Sequence, residues 1–373
     1  MEKCDVLVIG LGPAGAAAAT AAAKAGVRVL AAERRHAGRP PPGADENACP
    51  AFVPIPLGLH ARATHVVIQS IVGTRRRVHG GSPSESLLPG SVVDRDAFDQ
   101  ALVEFSRAAG AQLRHDSPLS ALDADESTAV LGYNGSARRV HYSALVAADG
   151  HASSVARLLG LPSLKNMFTR RYRVALHAPQ DTVDVWVSPK YPGGFGWLIP
   201  AGREAVIGTG MEAQFAGEAL DALHRQLAGA GLVGHEIRGR SAGAVSVGGP
   251  RERLTLGNIL FVGDAGGLAH PLTGAGIHPA VVSGEAAGRA AAEWAAGNLG
   301  AIPAYEAQML GEFGETLERA LKQREPLDLH WGAEFGTPGL EASGWSLVRG
   351  AFETSRFRRP RLTDRRRSAA APD

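Results

Sequence analysis

Gly10-Leu11-Gly12-Pro13-Ala14-Gly15 stands between an apolar run and an Ala-rich run. Glycines at these positions permit a tight turn, and bare backbone amides at a helix start can approach a pyrophosphate. Glu33 closes the next apolar run, with Arg34 beside it. A carboxylate there accepts hydrogen bonds from an adenosine ribose and repels a 2′-phosphate, so the pattern suits FAD or NAD better than NADP. A tight turn in an unliganded α/β domain is the alternative for the glycines alone.

Three further runs bear on the same chemistry. Residues 257–277 pass from an apolar stretch into Gly263-Asp264, then through His270-Pro271-Leu272-Thr273-Gly274-Ala275-Gly276-Ile277. Residues 147–157 contain Asp149-Gly150, and residues 92–99 contain Arg95-Asp96-Ala97-Phe98-Asp99. Two of them have a plainer reading: Asp264 as a helix cap, Arg95 as an exposed arginine at a helix start. Pro192-Gly193-Gly194-Phe195-Gly196-Trp197-Leu198-Ile199-Pro200 places two aromatics two residues apart. On a strand both fall on one face, as pocket walls or as core between sheets.

Taken in order, these runs resemble the geranylgeranyl reductase family and the related para-hydroxybenzoate-hydroxylase-like monooxygenases. The resemblance covers residues 4 to about 290. It implies FAD as cofactor, with Gly10, Gly12, Pro13, Ala14, Gly15, Glu33 and Arg34 on the adenosine diphosphate side. It further implies Gly263 and Asp264 at the ribityl chain, and Arg95 near the phosphates and ribityl chain. Asp149 belongs to the Asp-Gly motif of the same superfamily. Pro271, Gly274, Ala275, Gly276 and Ile277 would face the pyrimidine end of the flavin, where backbone donors and a helix dipole favour the reduced anion. Phe195 and Trp197 match the family's aromatic-x-Trp-x-Phe-Pro run, whereas Ile199 departs from it toward the Trp-x-Trp-x-Ile-Pro of flavin-dependent halogenases. Halogenases need a lysine downstream of the loop at residues 45–50, and no lysine occurs between Lys24 and Lys165. Cys49 lies in that loop, near the flavin or as a packing residue. Phe195, Trp197, Cys49 and His270 are the candidate catalytic residues.

The elements that must position these groups are legible from periodicity. Residues 4–10 read as a buried strand, 13–25 as a helix ended by Gly26, and 27–32 as a second strand. Gly, Pro and polar residues then mark a long loop over 34–56. A strand end and an amphipathic helix follow over 92–110, then short strands over 113–148. A β-rich block spans about 172–210, with alternating Val183, Val185 and Val187. A strand near Asn258, a glycine-rich turn and an Ala-rich helix to about Ala296 close the pattern. The expected fold is α/β: a Rossmann-type FAD-binding domain with an inserted mainly-β substrate-binding domain. The expected divisions are 1–165 with a substrate-side excursion over about 45–90, the insertion at 166–250, the second FAD-binding part at 251–300, a helical segment at 301–354, and a basic tail at 355–373.

Composition narrows the partners. The 373 residues are 45% hydrophobic and 20% charged with a net charge of +2, an ordinary globular balance that gives no electrostatic case for nucleic acid. Two cysteines, Cys4 and Cys49, indicate no disulfide framework and fit a reducing cytoplasm. No stretch reaches the length of a membrane span, which leaves peripheral membrane contact open. No metal is expected. The arginines from Arg356 to Arg367 suit a solvated tail.

The family resemblance implies an oxidoreductase in which reduced FAD delivers hydride to a C=C bond of an apolar, isoprenoid-like molecule. The alternatives are a monooxygenase that hydroxylates an aromatic or other activated substrate through a flavin hydroperoxide, and a non-catalytic FAD electron carrier. No second G-x-G-x-x-G unit is visible, so the expected reductant is transiently bound NAD(P)H or an electron-transfer protein.

Overall fold

The computed structural model describes residues 1–36, 49–53, 64–78, 82–133, 135 and 137–330. Strand β1 (Glu2–Ile9) carries Val6, Leu7 and Val8, all fully buried because the strand has neighbours on both edges and cover on both faces. Helix α1 (Pro13–Lys24) starts on a proline, whose missing N–H is one of the unpaired donors of any first turn. Its alanines are small enough to lie flat on the sheet. Strand β2 (Val29–Ala32) returns parallel to β1, which completes the strand-helix-strand unit.

Strands β3 (Ala51–Val53), β4 (Val67–Val78) and β5 (Ser84–Val93) leave this sheet for a second one. Helix α2 (Arg95–Ala108) is capped by Asp94, whose carboxylate accepts from the Ala97 N–H at 3.0 Å. Strand β6 (Gln112–Arg114) rejoins the first sheet beside β2. Strands β7 (Leu119–Asp123), β8 (Thr128–Leu131) and β9 (Arg138–Ala147) follow, with β9 parallel to β1, and then the short helix α3 (Ser154–Leu158).

The second sheet holds β10 (Asn166–Leu176), β11 (Thr182–Val187), β12 (Phe195–Ala201), β13 (Glu204–Met211) and β14 (Val233–Ser246), with helix α4 (Ala216–Gly229) between the last two strands. Its order is β14-β10-β13-β12-β11-β4-β5-β3. Leu220, Leu223 and Leu227 of α4 cover one face, against Val174, Leu198 and Ile207. The opposite face carries Met167, Val183, Val185, Phe195 and Trp197. Strand extends beyond the 172–210 read from periodicity at both ends. The polar residues Asn166, Thr169, Arg170 and Arg171 on β10 break the apolar alternation that would have revealed it.

The chain then returns through β15 (Thr255–Leu256) and β16 (Ile259–Phe261), the latter parallel to β9. The parallel core reads β16-β9-β1-β2-β6, so successive crossovers leave β1 in opposite directions. That reversal opens a crevice at the carboxyl end of β1, where α/β sheets bind ligands. Helix α5 (Ile277–Ala295) packs on α1, and helices α6 (Ala301–Met309) and α7 (Glu315–His330) close the described chain, joined by a π turn at Leu310–Gly314. The Tyr305 hydroxyl donates to the Phe261 carbonyl at 2.7 Å, which ties α6 to β16. Residues 37–48 and 54–56 of the expected loop, 331–354 of the expected helical segment and the basic tail at 355–373 lie outside the described residues.

Candidate active site

The glycine run packs its backbone more tightly than any side chain would allow. A Cβ on Gly10, which has φ +96°, would lie 2.5 Å from the Ala148 carbonyl oxygen, and one on Gly15 would lie 1.8 Å from the Gly10 oxygen. The Leu11 N–H donates to Glu33 Oε2 at 2.9 Å, so the end of β2 holds the turn in place. Glu33 Oε1 accepts from the Arg35 N–H at 3.0 Å and from Arg35 Nε at 3.2 Å. Burial opposes the charge on Glu33, but these donors hold its carboxyl below the usual carboxylate range.

At the other side of the crevice, Asp264 follows β16 in a short 3-10 turn. Burial pushes its carboxyl up to about 6, against the pull of the Arg95 charge. Arg95 is held at the start of α2 by Asp99, with Nε donating to Oδ1 at 2.8 Å. The loop before α5 is bonded to itself: the Gly274 N–H donates to the His270 carbonyl at 2.9 Å, and the His270 N–H donates to the Ala275 carbonyl at 3.1 Å. The Thr273 N–H points at His270 Nδ1 at 3.3 Å. Burial pushes the His270 imidazole down to about 4, so it is neutral at pH 7. Gly276 caps α5 without a side-chain bond, which leaves first-turn amides open toward the crevice.

Between these groups and the second sheet lies a cavity of about 450 Å³. Gly12, Pro13, Ala14, Arg95, Asp264 and the segment Gly274 to Ile277 form one side. Phe195 and Trp197 line the other from one face of β12, with ring centroids 5.5 Å apart and planes inclined by 51°. Val183 and Val185 extend that wall across β11. Cys49 is buried beside Arg171, which also lines the cavity.

Several expected residues lie back from this wall. Gly10, Gly15, Glu33, Gly263 and Pro271 shape the backbone behind it, and Arg34 is exposed. His270 turns toward Thr273. Asp149 Oδ2 accepts from the Ser154 N–H at 2.6 Å and the Val155 N–H at 3.1 Å, so its carboxylate caps α3. Burial raises the Asp149 pKa despite these bonds. Sequence reasoning missed Arg35, Arg171 and Arg324. The last reaches from α7 to the Pro271 and Gly193 carbonyls at 2.7 Å and 2.9 Å. Alternation of Met167, Thr169 and Arg171 along β10 was the available signal for Arg171; nothing local marks Arg324.

The close-packed glycine turn, the open amides of α5 and the carboxylate-arginine pair across the crevice fit a dinucleotide that carries a flavin. A family model described as FAD binding domain matches residues 3–298. The chain belongs to that family. FAD is the cofactor, and this FAD-binding-domain protein is an FAD-dependent oxidoreductase of geranylgeranyl-reductase-like kind. It is 32% identical over 341 residues to digeranylgeranylglycerophospholipid reductase 2 of Methanopyrus kandleri, with 85% of each chain covered. A geranylgeranyl bacteriochlorophyll reductase-like protein from Thermoplasma acidophilum superposes with a TM-score of 0.78 at 26% identity, over 88% of each chain. PqsL of Pseudomonas aeruginosa, a probable FAD-dependent monooxygenase, shares the fold at 19% identity with a TM-score of 0.69, over 92% of this chain and 99% of its own.

Proposed function

We propose that this FAD-binding-domain enzyme reduces a C=C bond of an apolar, isoprenoid-like molecule. When bound and reduced, FAD supplies the hydride. The observation that carries this reading is the apolar wall of Val183, Val185, Phe195 and Trp197, which faces the Gly274 to Ile277 segment across one cavity. The likeness to reductases along most of the chain supports it.

The chain's own residues have separable tasks in this reading. Gly12, Pro13 and Ala14 hold the pyrophosphate through backbone approach, and Arg95 offsets its charge. Asp264 accepts hydrogen bonds from ribityl hydroxyls. The α5 amides stabilise negative charge at the pyrimidine end. Phe195, Trp197 and Met167 exclude water and orient the alkene, so that the reacting atoms approach closely in a dry space. His270, neutral and turned into its own loop, shapes the Pro271 to Gly276 turn. A protein group or water supplies the proton.

The reductant in this scheme is external, either NAD(P)H or an electron-transfer protein. Among the described residues no helix is long and apolar enough to cross a membrane, and a lipid substrate would bring the enzyme to a membrane surface. A second reading, oxygen-dependent hydroxylation, is favoured by one feature: the Arg171 cation in the cavity wall suits an aromatic acid better than a hydrocarbon. Anaerobic mixing of reduced holoenzyme with a polyprenyl alkene tests the first reading. Return of the oxidised flavin absorbance supports it, and a flavin that stays reduced until oxygen is admitted counts against it.

A further inference from the structure

Gly208 and Gly210 lie on β13 in ordinary strand conformation, a backbone that any residue adopts. What excludes a side chain at either place is the neighbouring wall. Register pairs Trp197 of β12 with Gly208 on one side and with Val185 of β11 on the other. Directly paired residues share a face, so a side chain at 208 would point to the side from which Trp197 and Val185 line the cavity.

The indole lies on the glycine side of this row. A Cβ on Gly208 would fall 2.3 Å from Trp197 Cζ2, 2.4 Å from Cε2 and 2.8 Å from Nε1, all inside contact distance. A Cβ on Gly210 would fall 3.3 Å from Cζ3 of the same ring. The ring therefore rests across the bare backbone of β13, and Val183 and Val185 of β11 are left to line the cavity. Met167 of β10 closes the far end. Its Cε would lie 3.1 Å from a Cβ on Gly210 and 3.0 Å from one on Gly274, in the loop before α5. One methyl group thus fills the space between the seat of the indole and that loop.

A methyl group at 208 would force the ring off its seat. The β13 backbone stands behind the ring and Phe195 beside it, with centroids 5.5 Å apart, so the ways out lead up into the cavity or across Val185. Either movement removes space along β11. Packing this close makes a single methyl group felt.

We infer that Gly208 sets the bulk of substrate that the site accepts, by seating the Trp197 indole away from β11, and that Met167 limits the reach of the cavity toward the loop before α5. Gly208 is a positioning residue that acts through Trp197. The inference rests on reading this cavity as the substrate site.

Calorimetric titration of the FAD-loaded enzyme with geraniol, farnesol and geranylgeraniol, and separately with benzyl alcohol and naphthylmethanol, tests it together with crystal structures of the variants. Gly208→Ala should weaken the bulkiest ligand of a series about tenfold or more relative to the smallest, and Met167→Ala should shift the preference the other way. Trp197→Leu removes the ring that a side chain at 208 would meet, so adding Gly208→Ala in that background should change the size ranking no further. A merely structural role for Gly208 would persist there. In the Gly208→Ala crystal structure the indole should stand in the cavity or over Val185, a result read without any ligand. The same ranking confined to the aromatic alcohols keeps the inference and removes the isoprenoid reading. Ligands that bind with an unchanged ranking, or an indole still seated on β13, overturn the inference and leave the reading of the cavity; no binding in either series overturns both. If Gly208→Ala does not fold, the double variant with Trp197→Leu should, and failure of both overturns the inference equally.

Discussion

Arg324 Nη1 donates to the Pro271 carbonyl at 2.7 Å, from a side chain that is buried where α7 crosses the loop before α5. Its Nη2 donates to the Gly193 carbonyl at 2.9 Å, two residues before Phe195. One guanidinium therefore fixes the loop before α5 and the turn that leads into the aromatic strand relative to each other. A planar fork with several donors suits this task, and a lysine ammonium does not reproduce it.

Arg324→Met should unpair both carbonyls, at about 1–3 kcal/mol for each one left buried. A melting temperature lower by roughly 5 °C is expected, together with weaker FAD binding. Arg324→Lys should recover only part of either loss. Differential scanning fluorimetry and flavin release measure both, and an unchanged melting temperature with unchanged FAD affinity would contradict this role.

Glu33 and Asp264 make separate predictions about the cofactor. Glu33→Ala leaves the Leu11 amide without its acceptor and loosens the glycine turn, so FAD affinity should fall about tenfold or more. Glu33→Gln should lose less, since an amide oxygen still accepts from Leu11. Asp264→Ala should lower FAD occupancy by removing charge-assisted bonds of roughly 1.5–3 kcal/mol without unfolding the chain. Equilibrium titration of the FAD-free protein separates the three, and the cofactor released on heating should be FAD rather than FMN. Unchanged affinity in Asp264→Ala would show that Asp264 only shapes its turn.

The buried His270 predicts a pH dependence of stability. Its folded-state pKa of about 4 lies below the ordinary value of 6.5. The unfolded chain therefore binds this proton first as pH falls. The His270 contribution is fully present above pH 6.5 and is lost between about pH 6.5 and 4, on the order of 3 kcal/mol in all. His270→Asn, whose Oδ1 can take the Thr273 N–H, removes the titration. Denaturant melts of both proteins across this window should show the wild type losing more stability than the variant, and parallel losses would place the imidazole in contact with water.

Local pattern carried much of the site and little of its coupling. The glycine run, Glu33 and Asp264 are readable because one strand-turn-helix requires small residues and an acid at fixed spacing. Phe195 and Trp197 are readable because a strand of period two places both on one face, and both line the cavity. Arg171 escapes because its neighbours across the sheet, Ser241 and Gly208, lie on other strands, and register is set by pairings between distant segments. Arg324 escapes for the same reason at greater distance: nothing in a charged helix shows that one arginine faces inward. His270 stands in the motif run, but its ring direction is set by the hydrogen bonds of its own loop.

The central claim, reduction of a C=C bond, is tested most directly by single turnover of chemically reduced holoenzyme with an unsaturated substrate. The reaction is run under strict anaerobiosis and then under ¹⁸O₂, and the product mass is read in each case. A reductase yields a product two hydrogens heavier without oxygen, formed anaerobically, with no ¹⁸O incorporated in either run. Product that forms only when oxygen is admitted, and that carries ¹⁸O, contradicts the claim and assigns the cavity to hydroxylation.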